Sequence, residues 1–373
     1  MTDKIDITEQ LSFFCSEAAT KTIGNHFPIL LGKVLGQLPQ DHQVQALLHE
    51  LPSETSKAER YALYHWFRYV WNGAGNCLEI GPFLGGTSRA IALGMLHNPT
   101  RQSGAHLNTV DRFGGYAGGD ELVDLLAPLF KSGRLPSEWS NTLKSDPQVR
   151  FVDIYKHIHL ATEYGELLAI EEGTLPDKPQ DVSKPGIYTP KLNAPLGTLF
   201  IDGCKSWFSV KHLMSHLENN LPEGTFIIPQ DYGWFSCFWL PAFFEIFSDH
   251  YELLAMVDTS YFFKVTKQLK KDEILKKFPD HPRELGAIGL KNLFDAITEK
   301  SSERGDTRGA VMSQMHLACA LAIIGSVGDA YKIVTTMQDN SFAKPYVKTI
   351  ARVLAALDRR FVVDPEQTHI APS

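Results

Sequence analysis

The sequence predicts an α/β protein built on a mostly parallel, doubly wound sheet with helical additions at both ends. Three observations predict it. Between residues 76 and about 265, apolar runs of strand length alternate with stretches of helical period, the pattern of βαβ units. Outside that window only helical periodicity remains. The first apolar run ends in a glycine loop that leads into a helix, the layout of a ligand-binding α/β protein. The chain therefore divides into an N-terminal helical region (1–72), a central sheet domain (73–268) and a C-terminal helical region (269–373).

The elements follow in order. FFCSEAA, FPILLGKVLGQL and SKAERYALYHWFRYVWNG read as helices. In the last, Ser56 can cap, and Leu63, Trp66, Phe67 and Val70 fall at i, i+3, i+4 and i+7. Strands are expected at NCLEIG, LNTVDRF, VRFVDIY, LGTLFIDG and TFIIPQDY, with YELLAMVD and SYFFKVT closing the sheet as a hairpin. Ligands on such sheets lie at the carboxyl ends of the strands. Residues 114–148 and 171–195 exceed ordinary connections and are rich in Gly or Pro, so they read as active-site covers, oligomer contacts or solvated loops. From 272 onward the chain is helical. The stretch HLACALAIIGSVGDAYKIV is similar to one tetratricopeptide-like helical pair, but one unit makes no repeat domain, and these helices read as dimer contacts.

Composition narrows the function. The chain has 373 residues, 43% of them hydrophobic, enough for one large core and smaller lobes. A net charge of −7 lacks the cationic footprint of a nucleic-acid binder. No secretory signal is legible at the N-terminus and no apolar run is long enough to span a bilayer, so no membrane association and a cytoplasmic location are expected. Cys15, Cys77, Cys204, Cys237 and Cys319 are scattered, without a C-x-x-C pair, and are expected to be reduced and buried.

The stretch NCLEIGPFLGGTSRA (76–90) decides the cofactor. A nucleoside-triphosphate loop needs Gly-Lys-Ser/Thr, and here Gly86 is followed by Thr87 and Ser88. A dinucleotide loop wants a glycine where a pyrophosphate approaches the backbone, and here Pro82 and Phe83 follow Gly81. What remains is E-x-G-x-x-x-G-x-x-S. Through Glu79, Gly81, Gly85 and Ser88 the chain resembles motif I of class I S-adenosylmethionine-dependent methyltransferases. The resemblance implies a Rossmann-like, mostly parallel seven-stranded sheet. It also implies S-adenosylmethionine held by those four residues, with Asp111, at the end of the next strand, on the ribose.

The later strand ends extend the resemblance. IDGCK (201–205) and PQDY (229–232) are similar to paired segments of the macrocin and cephalosporin-type O-methyltransferases over about residues 60–265. That family holds Mg²⁺ between an Asp of the first segment and an acidic pair of the second, and uses a His of the first as base. Asp202, Gly203 and Asp231 match; Lys205 replaces the His and Gln230 the first acid. Two readings stay open. Either Asp202, Gln230 and Asp231 hold Mg²⁺ with Lys205 as base, or Lys205 replaces the metal as an ion-pair partner of the carboxylates.

Other clusters are weaker. His157 and His159, read on a strand, face one side without a third metal ligand, and His212 and His216 lack the Glu of a zinc-protease helix. Cys204 reads as a packing residue. Tyr232, Trp234, Phe235, Phe238 and Trp239 read as an acceptor pocket or sulfonium cage, or as a helix packed on the sheet. Methyl transfer to an oxygen of a small hydroxylated metabolite is the expected activity, with Asp202, Lys205 and Asp231 at the reaction centre. A catalytically degenerate binding protein and an S-adenosylmethionine enzyme of other chemistry are the alternatives.

Overall fold

The computed structural model describes residues 24–38, 41–114, 119–145 and 151–360. The first helical stretch of the sequence reading, FFCSEAA with Cys15, lies outside the described residues. The chain forms two compact units, one from residues 30–174 and 196–203, the other from 24–29, 175–195 and 204–360.

The first segments are α1 (Phe27–Gln37), α2 (His42–Glu50) and α3 (Lys57–His65). Ser56 caps α3 as its sequence predicts. Its hydroxyl accepts from Glu59 N and Glu59 accepts from Ser56 N, so two orphan amides are satisfied together. A π-helical turn, Trp66–Val70, extends this helix and buries Trp66 and Phe67. Then come β1 (Asn76–Ile80), α4 (Gly86–Leu96), β2 (Leu107–Asp111), α5 (Gly119–Lys131), α6 (Trp139–Ser145), α7 (Phe151–His159), β3 (Leu168–Glu172) and β4 (Leu196–Ile201). In this unit β1 pairs in parallel with β2 and β4, and β2 in parallel with β3.

Two readings change here. The described part of the run VRFVDIY, residues 151–155, is not a strand: it opens α7. Phe151, Val152, Ile154, Tyr155 and Ile158 are buried, spaced at helical and not alternating period. The third strand is instead LAIEE (168–172), an edge strand with three of five residues exposed, whose apolar run stops at Ile170. The described part of segment 114–148 is also more than a loop. It folds as α5 and α6, and Leu122, Leu126, Leu129, Leu135 and Leu143 join Phe113 and Phe151 in one buried cluster.

The second unit carries α8 (Trp207–His216), β5 (Phe226–Pro229), α9 (Trp239–Ile246), β6 (Tyr251–Val257), β7 (Ser260–Val265) and α10 (Lys271–Lys277). It ends in α11 (Gly286–Glu303), α12 (Thr307–Ile323), α13 (Val327–Gln338) and α14 (Val347–Arg360). Strand β7 is antiparallel to both β5 and β6, so the closing hairpin is present. Segment 175–195 is largely irregular, yet hydrogen-bonded: Asn220 Nδ2 donates to Leu192 O and Ala194 O, and Ser206 Oγ to Asp177 O. The seven strands are ordered β3-β2-β1-β4-β5-β7-β6. Cys77, Cys204, Cys237 and Cys319 are buried free thiols. No described helix is long and apolar enough to cross a membrane.

Candidate active site

The loop between β1 and α4 is fixed from several sides. Gly81 is left-handed at φ +88°, and a Cβ there would lie 2.5 Å from Gly203 N. Gly203 N and Asp202 N both donate to Ile80 O, at 2.7 and 2.8 Å. Glycine at 81 therefore lets the turn after β4 close against the end of β1. Gly85, at φ +83°, is the N-cap of α4, and a Cβ there would lie 2.1 Å from His159 Nε2.

Thr87 and Ser88, in the first turn of α4, do not cap it. Their hydroxyls donate to Glu79, Thr87 Oγ1 to Oε1 at 2.6 Å and Ser88 Oγ to Oε2 at 2.5 Å. Glu79 is fully buried. Burial raises its pKa to about 7, against the lowering effect of the two hydroxyls. Asp111, also buried, accepts from two backbone amides: Phe83 N to Oδ2 at 3.1 Å and Phe113 N to Oδ1 at 2.9 Å. It thus ties the end of β2 to the glycine loop. Phe83 and Phe113 hold left-handed backbone, φ +52° and +46°, which costs energy for residues with a side chain.

His159 closes the loop from behind. Arg89 Nε donates to Tyr164 Oη at 2.9 Å, Tyr164 lies 3.0 Å from His159 Nδ1, and His159 Nε2 lies 3.0 Å from Leu84 O. Burial pulls His159 down to about 3, so it is neutral. With a carbonyl facing Nε2 the proton sits there, and Nδ1 accepts from Tyr164. Arg89 is anchored in turn by Glu50 at 2.6 Å and Leu47 O at 2.9 Å. His159 is therefore a loop buttress on a helix, not half of a strand-borne metal pair, and exposed His157 packs beside Trp139. Arg89, Tyr164 and Thr87 carry no sequence signal for these roles. The helical period of 151–158 is the signal that could have placed His159.

In the second unit Lys205 Nζ lies 3.1 Å from Asp231 Oδ2. Lys205 is about half exposed and Asp231 about a quarter. Asp231 is left-handed, φ +62°, at the end of β5, and Gln230 beside it is buried. Among the described residues no group of three or more His, Cys, Asp or Glu side chains could hold a metal ion. A site with an ammonium on one of its carboxylates and an amide for another does not fit Mg²⁺, which favours hard anionic oxygens. The Lys205–Asp231 contact is the ion pair present here. The helical pair His212 and His216 is no metal site either: His212 Nε2 lies 3.2 Å from Tyr188 O, and burial lowers its pKa to about 4.

The aromatic run after Asp231 divides. Phe238 and Trp239 are packing residues, and the Trp239 indole donates to Cys204 O at 2.9 Å. Tyr232 stacks on Tyr261 with centroids 4.2 Å apart.

The strand order, parallel core and closing hairpin define a Rossmann-like class I methyltransferase fold. No protein-family model and no curated protein matches the chain. Among solved structures, the chain is similar to the O-methyltransferase NovP at 16% identity, over 64% of this chain and 97% of that one, TM-score 0.35. An O-methyltransferase from Bacillus cereus in complex with SAH matches at 14% identity, over 65% and 100%, TM-score 0.32. CalS11, a TDP-rhamnose 3′-O-methyltransferase of calicheamicin biosynthesis, matches at 14% identity, over 67% and 95%, TM-score 0.35.

Proposed function

We propose that the protein is an S-adenosylmethionine-dependent methyltransferase that methylates an oxygen of a small hydroxylated metabolite. What carries the reading is the loop after β1: a strand-end glycine turn braced by Glu79, Asp111 and His159, more bracing than a plain strand-to-helix connection requires. The residues fit the donor. Gly81 and Gly85 let the loop pack tightly on Gly203 and His159, and Asp111, held by two loop amides, is assigned to the ribose. Glu79 and Ser88 act through the loop's shape, since both are fully buried and bonded to each other.

When bound, the donor supplies an electrophilic methyl group. The chain's own task is to orient an acceptor hydroxyl and take its proton. Asp231 is the group for that proton, and Lys205 positions it; Asp202, just after β4, is a separate candidate. The strained backbone of Asp231 agrees with a functional position. A second reading, a cofactor-binding protein without turnover, is favoured by the same Lys205–Asp231 pair, which occupies the carboxylate that catalysis needs.

Calorimetry with S-adenosylmethionine and S-adenosylhomocysteine tests both readings, and absence of any binding ends both. Labelled donor and a metabolite extract then separate them. Loss of label transfer in Asp231→Asn or Asp202→Asn with donor affinity intact supports the enzyme; donor binding with no transfer by the wild type supports the binder.

A further inference from the structure

The second unit contains a cavity of about 180 Å³ that the donor reading does not use. It lies among α9, the β6–β7 hairpin, α11 and α12, and its walls are aromatic. Tyr232 and Tyr261 stack at 4.2 Å with 24° between their planes, and Phe244 and Phe263 stack at 4.2 Å and 13°. An engineered apolar cavity of about 150 Å³ admits one benzene ring, whereas sites for drug-sized ligands run from about 300 Å³ upward. The space therefore suits a single ring and is too small for an adenosine-bearing donor.

Its polar groups set the ligand's charge. Lys300 and Arg304, one helical turn apart at the end of α11, both line the cavity, as does Glu245. Glu245 accepts from Lys300 Nζ at 2.6 Å, so each neutralises the other. Arg304 is half-buried, and its guanidinium has no ion-pair partner among the described residues. Asp306, close by, is occupied: Oδ1 accepts from Gly309 N at 2.8 Å and Oδ2 from Tyr261 Oη at 3.2 Å. Of the two lining cations Arg304 is the one without an ion-pair contact among the described residues, and its planar guanidinium is shaped to grip a carboxylate in two-pronged fashion. His316 also lines the cavity and is buried; its Nε2 donates to Trp234 O at 2.7 Å, which leaves Nδ1 an acceptor that plays no part in holding a carboxylate.

We propose that this cavity is a binding site for a single-ring aromatic monocarboxylate, its ring against the tyrosine and phenylalanine walls and its carboxylate on Arg304. Because Tyr232 follows Asp231 directly, the site begins one residue from a candidate catalytic group, but it stands whether or not the protein transfers methyl groups.

Calorimetry on the full chain with benzoate and its neutral isostere benzamide tests this. Benzoate should bind at least about tenfold more tightly than benzamide, the gain expected of a charge-assisted hydrogen bond. Arg304→Gln should lower benzoate affinity at least about tenfold and leave benzamide unchanged, while Arg304→Lys should keep part of the benzoate preference. No benzoate binding by the wild type overturns the proposal, as does equal binding of the two probes or benzoate affinity unchanged in Arg304→Gln. If Arg304→Gln does not fold, the wild-type benzoate-to-benzamide ratio decides alone: about ten or more supports the site, and a ratio near one overturns it.

Discussion

The glycine loop of the first unit and the Lys205–Asp231 pair of the second are both candidate sites, yet they are built in opposite ways. In the loop every charge is buried and spoken for: Glu79 by two hydroxyls, Asp111 by two amides, Arg89 by Glu50, Tyr164 and Leu47. In the Lys205–Asp231 pair the lysine is half in water. Buried polar networks are costly to disturb because each lost partner leaves a desolvated group, whereas exposed ion pairs contribute little. The first region thus ties the loop's geometry to folding, and the second can change residue at little cost to the fold.

Substitutions should break this comparison if it is wrong, and the largest effect belongs to the loop. Gly85→Ala places a methyl against His159 in a left-handed backbone, and about 2–5 kcal/mol of stability should be lost in urea unfolding. A loss below about 0.5 kcal/mol would mean the buttress is not tight.

Glu79→Gln comes next. The folded-state pKa of Glu79 is raised to about 7 from 4.5, so its contribution to stability is fully present below about pH 4.5 and is lost as pH rises through 7. That amounts to about 3 kcal/mol. The stability of the wild type relative to Glu79→Gln should therefore fall by roughly that amount between pH 4 and 8 in paired chemical melts, and a flat difference would show that Glu79 titrates normally.

Tyr164→Phe removes the hydroxyl between Arg89 and His159, leaving a buried nitrogen without its donor, and should cost about 1–3 kcal/mol. Lys205→Ala should have the smallest effect on stability, under about 1 kcal/mol, while lowering label transfer at least tenfold if Lys205 positions Asp231. An equal stability loss in Lys205→Ala and Tyr164→Phe would erase the contrast between the two regions.

Much of this was readable before any coordinates. The loop NCLEIGPFLGGTSRA, the strand-end acids Asp111, Asp202 and Asp231, and the closing hairpin are local patterns, a few residues long, with apolar runs or glycine spacing to mark them. The misread strand VRFVDIY and the unseen strand LAIEE failed for complementary reasons. A short apolar run is ambiguous between a buried helix and a strand, and an edge strand with one wet face needs only a short apolar run.

By itself the sequence determined which chemistry types stand at which strand ends, because glycine permissiveness and side-chain identity are properties of single residues. Only the tertiary structure decided what those residues touch: that Thr87 and Ser88 serve Glu79 and not the helix end, that His159 backs Leu84, that Lys205 holds Asp231, and that Arg304 faces an aromatic cavity. The partners in these contacts lie from 8 to 75 residues apart in the chain. Most are closed by side-chain rotamers and long-range packing, which no local pattern encodes.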